Sequence, residues 1–325
     1  MSATRFRVLP NNYQLNQGTK QRQQLSTALL VTMFALPGML VFFLFFLLPI
    51  GQSAVFSLYE WDGFGPLTDY VGLGNYQRLL DHSIFHMSVQ HSLTIMVLAL
   101  LIQLPLALGL ALIVGRGKLR GRRIFRTILF IPYVFSEIIT AILWSYVLHP
   151  DQDGLLNSVF RTLIPGFQAV GWLGNPDTVI YVIFLVITWK YFGFHMILYM
   201  AGLQAIPQEL EDACRVDGAT EWQALRYVTL PLLGPTIRLT IYLSILGSFQ
   251  QFVMIWVLRQ GGPANGSQVI ATYLYKFGIQ GFKLGYGSAV AMLLCVSMFI
   301  FSVLYQRFVM RRDYTANTIS RGAGR

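Results

Sequence analysis

Charged side chains are what this sequence has least of. They make up 12% of 325 residues, against about 25% in soluble proteins, so an ordinary solvated surface is excluded. Acids are the scarcer sign, 14 against 24 Lys and Arg. The basic excess sits in short loops and tails beside apolar runs, which is membrane topology and not a nucleic-acid surface. Cysteine occurs twice, Cys214 in a polar stretch and Cys295 in an apolar run, so no disulfide framework is implied. No G-x-x-x-x-G-K-[ST] occurs: Gly115-Arg-Gly-Lys118 lacks the earlier glycine and is followed by Leu119. The chain therefore has no Walker loop to cradle nucleotide phosphates. His82, His86 and His91 include an i, i+4 pair, but no Glu or Cys completes a metal-ligand set. They read as an outer amphipathic helix, with no metal bound.

What is abundant is apolar length. The sequence is 54% hydrophobic, and Gln23 to Tyr59 carries no charge at all, enough for one membrane span of about 20 residues. Six spans are expected, near residues 28–50, 93–114, 127–148, 179–203, 232–258 and 286–308, giving an all-α polytopic membrane protein. The first run is span-length and follows a long polar tail, unlike a cleaved signal peptide. A 1–27 tail, a 28–310 six-span membrane body and a 311–325 tail follow from these limits.

Lys and Arg counts set the orientation. Four lie in the first tail, six between Arg116 and Arg126, and five from Arg307 onward, while the loops before spans two and four hold one each. The positive-inside rule then predicts cytoplasmic termini and a cytoplasmic 204–231 loop. The segment before span six is ambiguous by itself, because its three basic residues equal those around that loop.

The loop is a polar island between apolar runs. Pro207 suits a first helical turn. Glu209, Glu211 and Asp212 lie near the positive end of that helix's dipole. Gly218 supplies a left-handed closure. Thr220 and Gln223 have capping-box spacing for a second short helix, which Pro231 ends. Ala213, Cys214, Gly218 and Ala219 leave a face of small residues that a partner could approach closely.

This island resembles the EAA loop of importer-type ABC permeases, carried by Asp212, Ala213, Cys214, Asp217, Gly218, Ala219, Leu230 and Pro231. Asp212 stands where the family usually has Glu, and Cys214 where it has Ala. Val71-Gly-Leu-Gly-Asn-Tyr76, Phe125-Arg-Thr-Ile-Leu-Phe-Ile-Pro132 with Trp144, Ala201-Gly-Leu-Gln-Ala-Ile-Pro207 and Gly261-Gly-Pro263 resemble further segments of carbohydrate-uptake permeases of the maltose type. The resemblance covers roughly residues 30–310. It implies a type I importer fold in a bacterial inner membrane, with no enzymatic activity and no cofactor of its own. ATP and Mg would be bound by two separate ATPase subunits. A second permease, an extracytoplasmic sugar-binding protein and a sugar, as a di- or oligosaccharide, complete the implied partners. It also implies that Glu209, Asp212, Ala213, Arg215, Asp217, Gly218 and Ala219 couple to the ATPase.

Within the spans, Glu137 and Lys190 are charges that cost on the order of 3 kcal/mol near mid-bilayer unless they face protein or water. Trp189-Lys-Tyr-Phe-Gly-Phe-His-Met196 and Ser248-Phe-Gln-Gln251 gather polar and aromatic groups. Such groups suit sugar, by hydrogen bonding and stacking, and equally suit helix packing. Candidates for a substrate path are Glu137, Lys190, Tyr191, Phe194, His195, Ser248, Gln250 and Gln251. Lys190 either attracts an anionic sugar, such as a phosphorylated or sulfonated one, or is neutralised by Glu137. An ion-coupled secondary transporter is the reading from another class, but only Glu137 fits its need for buried carboxylates. A membrane-bound enzyme using the outer histidines is poorer still.

Overall fold

A computed structural model describes residues 16–116, 121–150 and 154–310. Among them there is helix and no strand; a single antiparallel bridge joins Tyr59 to Tyr70. The chain divides into two units at Val55 and Phe56. The first unit is essentially one helix, α1 (residues 16–56), with a π turn at Phe43–Leu47 and Pro37 inside it. From Leu29 to Gln52 its side chains are all exposed, as an all-apolar helix in lipid requires.

The second unit begins with a turn held by buried Asn75, whose amide donates to Ser57 O at 3.0 Å and Tyr59 O at 2.8 Å. Asn75 lies in α2 (Gly74–Leu80). Then α3 (Ser83–Gly115) crosses as one long helix. The outer histidines are therefore not on a separate amphipathic helix. His86 and His91 lie in the first turns of α3, and His82 caps it. They take separate partners: His82 the Tyr273 hydroxyl at 2.8 Å, His86 the Leu80 carbonyl, His91 the Gln268 carbonyl.

The third span differs most from its expected form. It is two helices, α4 (Arg122–Val134) and α5 (Glu137–Val147), bent by 98° at Phe135–Ser136. A short α6 (Leu155–Leu163) leads to α7 (Val179–Gln204), the buried axis of the unit. The loop follows as α8 (Gln208–Val216) and α9 (Glu221–Leu232). Pro207 precedes the first helical residue as its cap. Pro231 marks the end of the second helix to within one residue. A π turn at Leu225–Thr229 comes just before it, and the helix ends at Leu232, where the path bends by 64° into α10 (Gly234–Phe249). The expected fifth span is thus also broken, after Phe249, before α11 (Val253–Arg259). Residues 270–279 form α12, and α13 (Leu284–Met310) is the last span.

Side chains of α3, α5, α7 and α11 build the central core around Ile95, Ala141, Ile183 and Met254. The second halves of α3 and α7 pack through Ala107, Ala111, Met196 and Tyr199. Gly193 lets α4 lie directly on α7, since a Cβ there would collide with the Leu129 carbonyl. Small residues at helix crossings do this commonly in membranes, where packing replaces the hydrophobic drive.

Candidate functional site

The break in the third span leaves carbonyls at the end of α4 without helical donors. Lys190, 3% exposed, supplies them: its ammonium donates to Phe135 O at 2.5 Å and reaches Tyr133 O at 3.4 Å. It also lies over the rings of Tyr133 and Tyr191, 5.9 and 5.5 Å from their centroids. A cation at a helix C-terminus is favoured by the dipole. On the other side of the break, Ser136 is extended and its Oγ accepts from the Ile139 N–H at 3.2 Å, capping α5. Glu137 sits in the first turn of α5, at the positive end, and its carboxylate accepts from the Tyr191 hydroxyl. The two intramembrane charges serve two opposed helix ends. No ion pair within 4 Å joins them among the described residues.

Beside this break is a cavity of about 300 Å³. Glu137, Tyr191, Phe194, His195, Ser248, Gln250 and Gln251 all line it; Lys190 does not. Gln103 from α3, Tyr133 from α4 and Ser244 from α10 also line it, and sequence reasoning missed them. Gln103 had a signal: it is the lone amide in the apolar run of α3, and it closes a π turn at Ala99–Gln103. Such turns occur often at functional sites. Tyr133 had none beyond following Pro132.

Tyr133 and Phe194 stack with centroids 4.9 Å apart and planes at 18°. The His195 Nδ1 lies 3.1 Å from Tyr191 O and 3.2 Å from Gln103 Nε2. Its Nε2 is buried with no partner among the described residues. A buried ring nitrogen without a partner is costly, and a hydroxyl brought into the cavity would satisfy it in either tautomer. The wall is therefore amide, hydroxyl, imidazole and one carboxylate, with an aromatic pair at one side and Ile95, Ala99 and Leu243 as apolar surface.

The loop forms a separate site. Gly218, at φ 82°, closes α8: its N–H donates to Arg215 O, and the Ala219 N–H to Cys214 O, the paired bonds of a Schellman closure. Thr220 and Gln223 make the capping box that starts α9. Arg215 bridges the turn, bonding Asp212 at 3.1 Å and Glu221 at 3.1 Å. The hydrogen bond and charge of Glu221, helped by Asp212, raise its pKa further above the ordinary arginine value. Thr229 ties the second helix back, donating to Glu211 at 2.9 Å. Glu209, Asp212, Ala213, Arg215, Asp217 and Gly218 are exposed, and Ala219 is partly so. Val216, Trp222 and Tyr227 stand exposed as well, at 87%, 65% and 71%. These large apolar groups were not singled out from sequence, because helical periodicity alone does not separate a docking face from a packed one.

Residues 103–314 match the family described as binding-protein-dependent transport system inner membrane component. The chain belongs to this family. As a member, it is a multi-pass inner-membrane component of a transport system. It is 31% identical over 276 residues to a probable ABC transporter permease of Pyrococcus horikoshii, covering 85% of this chain and 94% of that one. It is 32% identical over 279 residues to the trehalose/maltose transport system permease protein MalF of Thermococcus litoralis, covering 86% and 93%. Among solved structures, a chain of a bacterial alginate ABC transporter, in complex with its alginate pentasaccharide-bound periplasmic protein, superposes with a TM-score of 0.78 at 24% identity over 89% of this chain and 96% of that one. The importer-permease fold expected from the EAA-like loop is the fold found.

Proposed function

We propose that this chain is one permease half of a heteromeric ABC importer for a neutral di- or oligosaccharide, and that the cavity beside the third-span break is part of the sugar's path. The observation that carries this is the cavity wall. Amides, hydroxyls and the unpartnered Nε2 of His195 offer directional hydrogen bonds, and Tyr133 and Phe194 offer an aromatic flank for sugar C–H faces. Relatives named for lactose, arabinooligosaccharides and trehalose/maltose support the substrate class. An anionic sugar is disfavoured: among the described residues the one carboxylate or cation on the wall is Glu137, and the Lys190 ammonium is held by helix carbonyls. A like charge facing a bound anion in a low dielectric opposes binding.

In this reading the chain is not an enzyme and binds no nucleotide. Its partners are a second permease, two ATPase subunits meeting the 204–231 loop, and an extracytoplasmic binding protein that delivers the sugar. Lys and Arg counts support cytoplasmic termini, although residues 1–15 and 311–325 lie outside the described residues. The test is uptake into proteoliposomes holding the full complex. Labelled disaccharide should enter only with ATP inside and binding protein outside. Uptake driven by an ion gradient without ATP would sink the proposal.

A further inference from the structure

A second cavity, of about 580 Å³, lies between the 60–78 segment and the start of α13. It shares no lining residue with the cavity beside the third-span break. The Gly285 N–H donates to Trp61 O at 2.8 Å, and a Cβ on Gly285 would collide with Tyr59 O, so the two walls are locked together. That contact sets the segment before span six beside the 60–78 segment, on the side that Lys and Arg counts place outside.

The wall carries hydrogen-bonding groups that the fold does not use up. Asn75 is 1% exposed, and its amide nitrogen is fixed by Ser57 O and Tyr59 O. Its Oδ1 has no partner among the described residues, yet it is not sealed inside protein. So deeply placed an acceptor, left open on a cavity wall, calls for a donor. Asp62 spends one oxygen on the Phe64 N–H, and the side chains of Asp69 and Lys283 have no described partner. Glu60 and Arg78 pair with each other at 3.2 Å. Two exposed rings, Phe64 and Phe282, belong to the same wall, with centroids 6.3 Å apart. Phe282 sits at φ 50°, a conformation that a bulky residue adopts at a cost.

This lining selects among ligand classes. Three carboxylates and two cations nearly balance, so the field favours neither an anion nor a cation. Among the described residues no group of three His, Cys, Asp or Glu could hold a metal ion. An apolar ligand would leave Asn75 Oδ1 and the charges without partners. Hydroxyls both donate and accept, and the C–H faces of a sugar ring cover aromatic carbon. We propose that this outer cavity is a binding site for a neutral saccharide, separate from the cavity beside the third-span break. Its volume is in the range of ordinary small-molecule sites, and it gives a longer saccharide a second holding point outside the path. The site stands on its own lining; only the choice of probe sugars rests on the reading of the chain as a sugar permease.

The test is saturation-transfer NMR on the purified full complex, without binding protein or ATP, using maltotriose, trehalose and lactose in turn. At least one of the three should receive magnetisation from the protein. Phe64→Ala/Asp69→Asn/Phe282→Ala, all at exposed positions, should cut that transfer by about tenfold, as loss of a charged hydrogen bond and two ring contacts does. Gly247→Trp, which grows into the open space of the other cavity, should leave most of it. If the triple variant does not fold, Asp69→Asn alone should weaken the signal by about threefold with an unchanged melt. Absence of transfer to all three sugars would overturn the outer site, whereas the importer reading is judged separately by the ATP-driven uptake assay. A signal that Gly247→Trp abolishes and the triple variant keeps belongs to the other cavity, and would overturn it as well. Unchanged transfer in the triple variant, with lost stimulation of the ATPase by binding protein, would make this face a protein-docking surface instead.

Discussion

Lys190→Met separates a structural cation from a substrate-binding one. In the fold, the ammonium holds Phe135 O and Tyr133 O at the end of α4 and is absent from the cavity wall. Removing it forfeits hydrogen bonds of the charged kind, about 1.5–3 kcal/mol, and leaves carbonyls unsatisfied at about 1–3 kcal/mol each. A dipole contribution of up to about 2 kcal/mol goes with them. Against this, methionine fills a similar volume, and no ammonium need be desolvated, which returns several kcal/mol. The net loss should be about 1–3 kcal/mol, a fall of a few degrees in melting temperature. Lys190→Arg, able to donate to the same carbonyls, should recover part of it. Uptake of neutral sugar at a permissive temperature should keep its KM within about threefold. The assay pairs a thermal melt of the purified complex with initial uptake rates in proteoliposomes. A tenfold or larger loss of transport with an unchanged melt would refute the reasoning and return Lys190 to the substrate.

Other substitutions test the remaining parts. Gly218→Val places a β-branched residue at φ 82° with open space around it, so backbone strain of about 1–3 kcal/mol acts alone; uptake should vanish and the ATPase should detach on purification, and normal assembly would remove the loop from the coupling role. Gly193→Ala pushes a methyl into the Leu129 carbonyl and should cost about 1–3 kcal/mol as overpacking does, whereas Gly109→Ala, with nothing near its Cβ, should be neutral or stabilising on a melt. A reporter active only outside the cytoplasm should give signal when fused at residue 70 and none at the C-terminus; the opposite pattern would invert the topology.

The four continuous spans were legible because their apolar runs are long and nearly free of charge, and the loop was legible because its capping and closure residues act locally. Thr220 with Gln223 and Gly218 do in the structure what their chemistry dictates in a short peptide. The bend at Phe135–Ser136 was not legible. Pro132 and Ser136 are both tolerated inside continuous membrane helices, and only Lys190, 55 residues away, makes the freed carbonyls affordable. The cavity was half legible for the same reason. Polar groups on α7 and near Phe249 announce themselves against an apolar background, but which of them share a wall depends on the two breaks. Lys190 was a path candidate with pairing to Glu137 as the alternative, and its partners are instead the Tyr133 and Phe135 carbonyls. Gln103 and Tyr133 were passed over because their contributions come from helix crossings and not from their neighbours in sequence.

The central claim, that sugar passes through this cavity, is tested most directly by thiol labelling at its wall. In a complex whose Cys214 and Cys295 have been replaced by serine, Ser248→Cys should react with a small charged methanethiosulfonate. Binding protein, sugar and ATP together should slow that reaction several-fold. A reaction rate that ignores the sugar, in a complex still competent for uptake, would contradict the account.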